Sequence, residues 1–268
     1  TADPSAHVFN GKIYIYPSHD IDAGEAFDDL GSHFAMEDYH VISMNTPDSE
    51  AKDNGPALHV NDVPWAEKQM WAPDACEKDG RYYLFFPAKD YDGIFRIGIA
   101  VSNSPTGPFT PRAKAIEGSF SIDPAVFKDD DGTYYMYFGG IWGGQLQRWR
   151  NGYFNGEEKE SPVAHLPGNR EPALCAKVVT LTPDLFGFAG TPKDLVIVDG
   201  KRHPLLQGDT EKRFFEASWM HKYKGKYYFS YSTGDTHFNC YAISDNPYGP
   251  FTYARKILNP GVGWTTHH

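Results

Sequence analysis

The 268-residue sequence contains only three cysteines, Cys76, Cys175 and Cys240. They are too few and too scattered for a disulfide framework and read as small buried apolar side chains. Basic residues are in deficit, 25 Lys and Arg against 35 Asp and Glu, for a net charge of −10. That balance excludes nucleic acid as a partner, since phosphate binding needs a basic patch. No apolar run reaches the length of a membrane-spanning helix, so no membrane partner is expected. Apolar residues spaced three and four apart are scarce, which excludes a helical class. No secretory signal precedes Thr1, and with unpaired thiols this predicts a bacterial cytoplasm rather than secretion.

Aromatic residues make up 15% of the chain, beside 26 Gly and 20 Pro. Such a composition suits short strands joined by tight turns, within a single domain spanning residues 1–268. Four segments share one frame: an acid, a short apolar stretch, a turn ending in glycine, then an aromatic strand. They read DPSAHVFNGKIYIY from Asp3, DACEKDGRYYLFF from Asp74, DPAVFKDDDGTYYMYF from Asp123 and EASWMHKYKGKYYFSY from Glu216. The third residue after each turn glycine is a tyrosine: Tyr14, Tyr83, Tyr135 and Tyr228. Asn10-Gly11, Asp79-Gly80 and Asp131-Gly132 are dipeptides that tight hairpins require, because both positions tolerate positive φ. Further strands of alternating polarity follow, and two of them end in the same string, S-x-x-P-x-G-P-F, from Ser102 and from Ser244.

Acid-led hairpins recurring along an all-β chain predict the blades of a β-propeller. Four blades are visible, and the chain stops at Gly263-Trp264-Thr265-Thr266-His267-His268, where a fifth acid-led hairpin would begin. The expectation is therefore a five-bladed β-propeller with an incomplete last blade. Equivalent positions of successive blades face one another around the axis, so Asp3, Asp74, Asp123 and Glu216 should gather at one end of it. Clustered carboxylates repel and raise each other's pKa, which a fold tolerates mainly when a cation or a proton transfer uses them. Glycoside hydrolysis needs one carboxyl to protonate the leaving oxygen and another to activate water. Asp3 and Asp123 stand in D-P-[SA], and Glu216 has one more methylene of reach. These residues alone do not say which is acid and which is base.

The motifs in combination resemble glycoside hydrolase family 43, and its β-xylosidases in particular. They are A-D-P-S from Ala2, M-W-A-P-D from Met70, S-I-D-P-A-V-F from Ser121 and F-E-A-S-W-M from Phe215, with S-H-D from Ser18 and G-G-I-W-G-G-Q-L from Gly139. The resemblance implies an inverting, exo-acting hydrolase that releases xylose from xylo-oligosaccharides or acts on arabinose-substituted substrates. It implies Asp3 as general base, Glu216 as general acid, and Asp123 as the residue that tunes the acid's pKa. It also implies a divalent ion on the axis, calcium by preference, with His267 as its ligand and His268 as the alternate.

Trp71, Ile122 and Trp142 are the candidates for lining a sugar site. Trp71 suits stacking on a sugar ring or packing within a blade. Trp142, between glycine pairs, suits a subsite or a packed bulge equally. His237 reads as structural, and the acidic stretch from Asp20 to Asp29 reads as a solvated rim loop rather than a calcium loop. Two competing functions fit less well. A fructoside-acting propeller would carry R-D-P in mid-chain, where this sequence has Arg170-Glu171-Pro172 outside any hairpin. A non-catalytic sugar-binding propeller would not need acids in register. Oligomeric state is left open.

Overall fold

A computed structural model describes residues 2–157, 160–234 and 237–259. The described chain is all-β apart from short 3₁₀ turns, and it divides into two compact units, Thr1–Pro124 and Ala125–His268. Each unit holds two sheets, so four of the expected blades are present. The place expected for a fifth, from Gly263 onward, lies outside the described residues.

In the first unit, β1 (Ala2–Phe9), β2 (Lys12–Ser18), β3 (Asp38–Met44) and β4 (Lys52–His59) pair in chain order. The second sheet contains β5 (Ala66–Lys68), β6 (Asp74–Lys78), β7 (Arg81–Asp90), β8 (Phe95–Ser102) and β9 (Thr110–Pro111). Its leading strand is broken. β5 pairs with the far end of β7 (Ala66↔Asp90) and β6 with the near end (Lys78↔Arg81), leaving residues 69–73 out of the ladder. In the second unit, β10 (Ala125–Lys128), β11 (Tyr134–Phe138), β12 (Ala176–Thr180) and β13 (Lys193–Leu195) form one sheet. The other is built from β14 (Ile197–Val198), β15 (Phe214–Tyr223), β16 (Lys226–Thr233), β17 (Asn239–Ser244) and β18 (Phe251–Leu258).

The tight turns follow from turn chemistry. Asn10 and Gly11 have φ of 51° and 75°, and Asp79 and Gly80 have 53° and 76°. Both are the left-handed pairs whose twist matches the flanking strands. Asp131-Gly132 does not form the same turn: within the dipeptide only Gly132 is left-handed (φ 86°), and the loop closes from the Asp129 amide to the Thr133 carbonyl at 2.8 Å. Lys224-Gly225, which carries no such dipeptide signal, adopts the tight form instead (φ 48° and 74°).

The two S-x-x-P-x-G-P-F strings perform the same task in each unit. Tyr16 donates its hydroxyl to the Pro105 carbonyl (2.7 Å), and the Phe109 amide donates to Ala57 (2.8 Å). In the second unit Tyr137 donates to the Pro247 carbonyl (2.9 Å), and the Phe251 amide donates to Val196 (2.9 Å). Each string thus ties its own sheet to the preceding one while satisfying a buried phenol. Around these ties lie Tyr39, Val41, Leu84 and Phe86 in the first unit, and Phe138, Phe214, Phe229 and Tyr231 in the second.

Asp129 explains the altered third turn. Its buried carboxylate accepts hydrogen bonds from Lys222 Nζ and the Tyr227 hydroxyl, both at 2.6 Å. Burial alone would raise its pKa, but Lys222, Tyr227 and the Asp130 amide outweigh burial and hold it below the usual carboxylate range. Its contribution to stability is complete above the ordinary aspartate value of about 3.9 and is lost as pH falls through the lower folded value. Asp129→Ala should cost about 2 kcal/mol, because it leaves the Tyr227 phenol without its acceptor and Lys222 with Asp130 alone. Thermal melts of both proteins should also converge as the buffer is acidified; equal gaps at every pH would contradict this account.

Candidate active site

The acid at the head of each repeat stands where its leading strand leaves regular pairing. In β1 the register jumps between Ala2↔Ser18 and Ser5↔Tyr16, and Asp3 lies inside that bulge with φ 46°. Asp74 is the first residue after the break in the second sheet. Asp123 precedes β10 with φ 57°, two residues after Ser121 at φ 65°. Glu216 sits between two register shifts in β15, followed by Ala217 at φ 60°. Proline after Asp3 and Asp123 removes a ladder donor at the point of departure. Bulges re-aim side chains, and here they re-aim acids.

In the first unit, Trp71 comes from the break at 69–73. Its indole Nε1–H donates to Asp3 Oδ2 (3.3 Å), its carbonyl accepts from the Tyr39 hydroxyl (2.5 Å), and its amide donates to the Pro87 carbonyl (3.1 Å). Gly31 packs against the same indole: a methyl added at Gly31 would lie 2.7 Å from Trp71 Cη2. Trp71 is therefore a fixed partner of Asp3 and not only blade filling. Ile122 is buried, at 1% exposure, between the left-handed residues Ser121 and Asp123. Asp74, also fully buried, faces His7 Nε2 at 2.6 Å. Asp74 is thus held by a close imidazole from β1.

In the second unit, Glu216 is largely buried, with His237 Nδ1 3.9 Å from its Oε1. The His237 ring meets Phe215 edge-on at 4.6 Å, and Trp142 meets the same phenylalanine at 5.1 Å. The Ile141 amide donates to the Phe215 carbonyl (3.0 Å), so the glycine-rich turn carrying Trp142 is docked onto the strand that carries Glu216. Trp142 Nε1 is buried with no hydrogen-bond partner among the described residues. His237, read from the sequence as structural, thus belongs to the surroundings of the acid. Asp3, Trp71, Ile122 and Asp123 lie in the first unit, and Trp142 and Glu216 in the second.

His267, the expected calcium ligand, lies outside the described residues. Among the described residues the group of His, Cys, Asp and Glu within reach of one ion is His19, Asp38 and His40. Two imidazoles and one carboxylate do not suit calcium, which takes six to eight oxygens. The acidic stretch behaves as a loop that caps its own turns: Asp22 accepts from the Gly24 amide (2.8 Å), and Asp28 from Leu30 and Ser32 (3.1 and 2.9 Å).

In each unit, an acid at a strand irregularity with aromatic rings beside it suits the carbohydrate chemistry of the glycoside hydrolase class. Comparison with known proteins gives the family. The sequence model of Glycosyl hydrolases family 43 matches residues 49–170. A xylosidase/arabinosidase of Bacteroides ovatus is 58% identical over all of this chain and 81% of its own length. A β-xylosidase of Xylanibacter ruminicola is 57% identical, covering 82% of that protein. Among solved structures, a GH43 β-xylosidase/α-arabinofuranosidase from a compost metagenome, in complex with xylotriose and calcium-free, superposes with a TM-score of 0.95. It is 60% identical over all of this chain and 80% of its own. The chain belongs to glycosyl hydrolase family 43.

Proposed function

We propose that the protein is an inverting, exo-acting β-xylosidase that releases terminal xylose from xylo-oligosaccharides, with α-L-arabinofuranosidase activity beside it. The observation that carries this reading is the placement of Asp3, Asp123 and Glu216 at the irregular heads of equivalent strands. The names of the 57–58% identical relatives support the substrate class. In this reading residues 1–268 belong to one catalytic propeller domain of five blades, and the three acids converge at one end of its axis. Asp3 takes a proton from water as it attacks the anomeric carbon. Glu216 gives its proton to the departing glycosidic oxygen. Asp123 keeps that proton on Glu216 near neutral pH by like-charge repulsion and orients the sugar. A base and acid serving inversion stand roughly 6.5–9.5 Å apart, which leaves room for the water.

Turnover of aryl β-xyloside and aryl α-arabinofuranoside, with the first-formed anomer followed by NMR, tests the reading. Release of α-xylose from the β-xyloside is expected. Initial β-xylose would mean a covalent intermediate and overturn the assignment of Asp3, and binding without turnover would mean a lectin-like propeller. Calcium on the axis is retained as part of the proposal; it rests on the resemblance and on the solved relative described in calcium-free form. Dialysis against EDTA should lower both activity and melting temperature, with recovery on adding calcium. An unchanged melt in protein that elemental analysis finds metal-free would remove the ion from the proposal.

A further inference from the structure

β2 ends at Ser18 and β3 begins at Asp38, so the ends of the intervening loop meet. His19, Asp38 and His40 are brought together there, each offering one ligand atom within 4.8 Å of the others. His19 Nδ1 stands 2.5 Å from Asp38 Oδ1, and His40 Nε2 stands 3.5 Å from Asp38 Oδ2. The side chains are 36%, 15% and 23% exposed, open enough to admit an ion yet held in place.

The other nitrogen of His40 sets the chemistry. Nδ1 lies 3.0 and 2.9 Å from the two Asp53 oxygens, and Asp53 in turn accepts from the Gly55 amide at 2.8 Å. Asp53 holds a proton on Nδ1 and so fixes the ring, which leaves Nε2, facing Asp38 Oδ2, as the nitrogen a metal can take. A metal ion in the 3.5 Å gap between Nε2 and Oδ2 takes the place of any proton there, which leaves to solvent, and bonds to both atoms. A gap of that size matches the ligand spacing of a tetrahedral ion with bonds of roughly 2.0–2.2 Å. A carboxylate behind a ligating histidine is also the usual outer partner of a metal site, fixing tautomer and ring angle.

We propose that His19, Asp38 and His40 bind a borderline divalent metal of the zinc type, with Asp53 orienting His40 and water filling the fourth position. Two imidazoles and one carboxylate select zinc or cobalt over calcium. Binding opens the 2.5 Å contact between His19 Nδ1 and Asp38 Oδ1 and releases to solvent the proton it holds. The metal would clip the two ends of loop 19–37. That loop carries Gly31 against Trp71 and is further tied by Gln69 Nε2, which donates to the Gly31 and Phe34 carbonyls (2.7 and 3.3 Å). Occupancy therefore firms the packing behind the indole that meets Asp3. This is a site separate from any axial calcium and from the hydrolytic acids.

Zinc and cobalt titrations of the full chain, in calcium-containing buffer, test it by calorimetry and by the visible absorption of bound cobalt. One saturable site per chain is expected, with zinc raising the melting temperature. His19→Gln and His40→Gln should each weaken binding more than Asp53→Asn, for which a loss of roughly 10–100-fold is expected. Circular dichroism checks the folding of each variant, and exposed Asp53 provides the decisive comparison if a histidine variant misfolds. Affinity unchanged in Asp53→Asn and the histidine variants places the metal elsewhere and overturns the proposal. No saturable binding at millimolar metal overturns it as well, leaving a proton as the only occupant of the cluster.

Discussion

Glu216→Ala should slow hydrolysis of xylobiose by about 10³-fold while sparing a dinitrophenyl xyloside to within about tenfold. A sugar leaves as a poor alkoxide unless its oxygen is protonated as the bond breaks, and a positioned acid contributes roughly 10²–10⁴-fold there. Dinitrophenolate departs without a proton, so the missing acid costs it little. The factor of about 10³ corresponds to about 4 kcal/mol of transition-state stabilisation. Glu216 is only 16% exposed at a strand irregularity, so a melting curve of the variant accompanies the kinetics to separate lost chemistry from lost fold. Comparing kcat/KM on the two substrates is the measurement. Equal losses on both would show that Glu216 does not act as the general acid.

Asp3→Asn should reduce turnover of both substrates together, by at least about 10³-fold. Water needs a base whichever leaving group departs, so no choice of aglycone restores the rate. Asparagine is the informative replacement. It tolerates the left-handed backbone at φ 46° and keeps a carbonyl to accept from Trp71 Nε1, losing only basicity. Fold and indole position are thereby preserved, and an unchanged melting curve should accompany the loss. If xylobiose and the dinitrophenyl xyloside diverged, Asp3 would be doing something other than activating water.

The all-β class, the four acid-led hairpins and the S-x-x-P-x-G-P-F ties were legible because each rests on local rules. Alternation, turn dipeptides and repeated strings are properties of neighbouring residues. The bulges at Asp3 and Glu216 were not legible, since an irregularity is defined by the partner strand's register. The third turn departed from its dipeptide signal because Asp129 is captured by Lys222 and Tyr227, residues far along the chain. Long-range pairing likewise sets His7 against Asp74 and brings His237 to Glu216. His19 and His40 are split by a loop whose acids drew the eye, so their meeting at Asp38 shows only in three dimensions. Trp71 was a candidate for the sugar site in the sequence, and its bond to Asp3, 68 residues away, is visible only in the fold.

Directed evolution for heat resistance would work against this site. Asp3, Asp123 and Ala217 hold left-handed backbone angles of 46°, 57° and 60°, each costing on the order of 1 kcal/mol for a residue with a side chain. Survivors of a thermal screen would accumulate glycine at Ala217, or changes that let the leading strands run straight. A straightened strand alternates its side chains strictly, so the next residue would point where the acid now points. Variants straightened in this way would fold well and have lost their chemistry. A screen on this protein therefore has to score turnover in the same round as melting, because the two traits draw on the same few backbone angles in opposite directions.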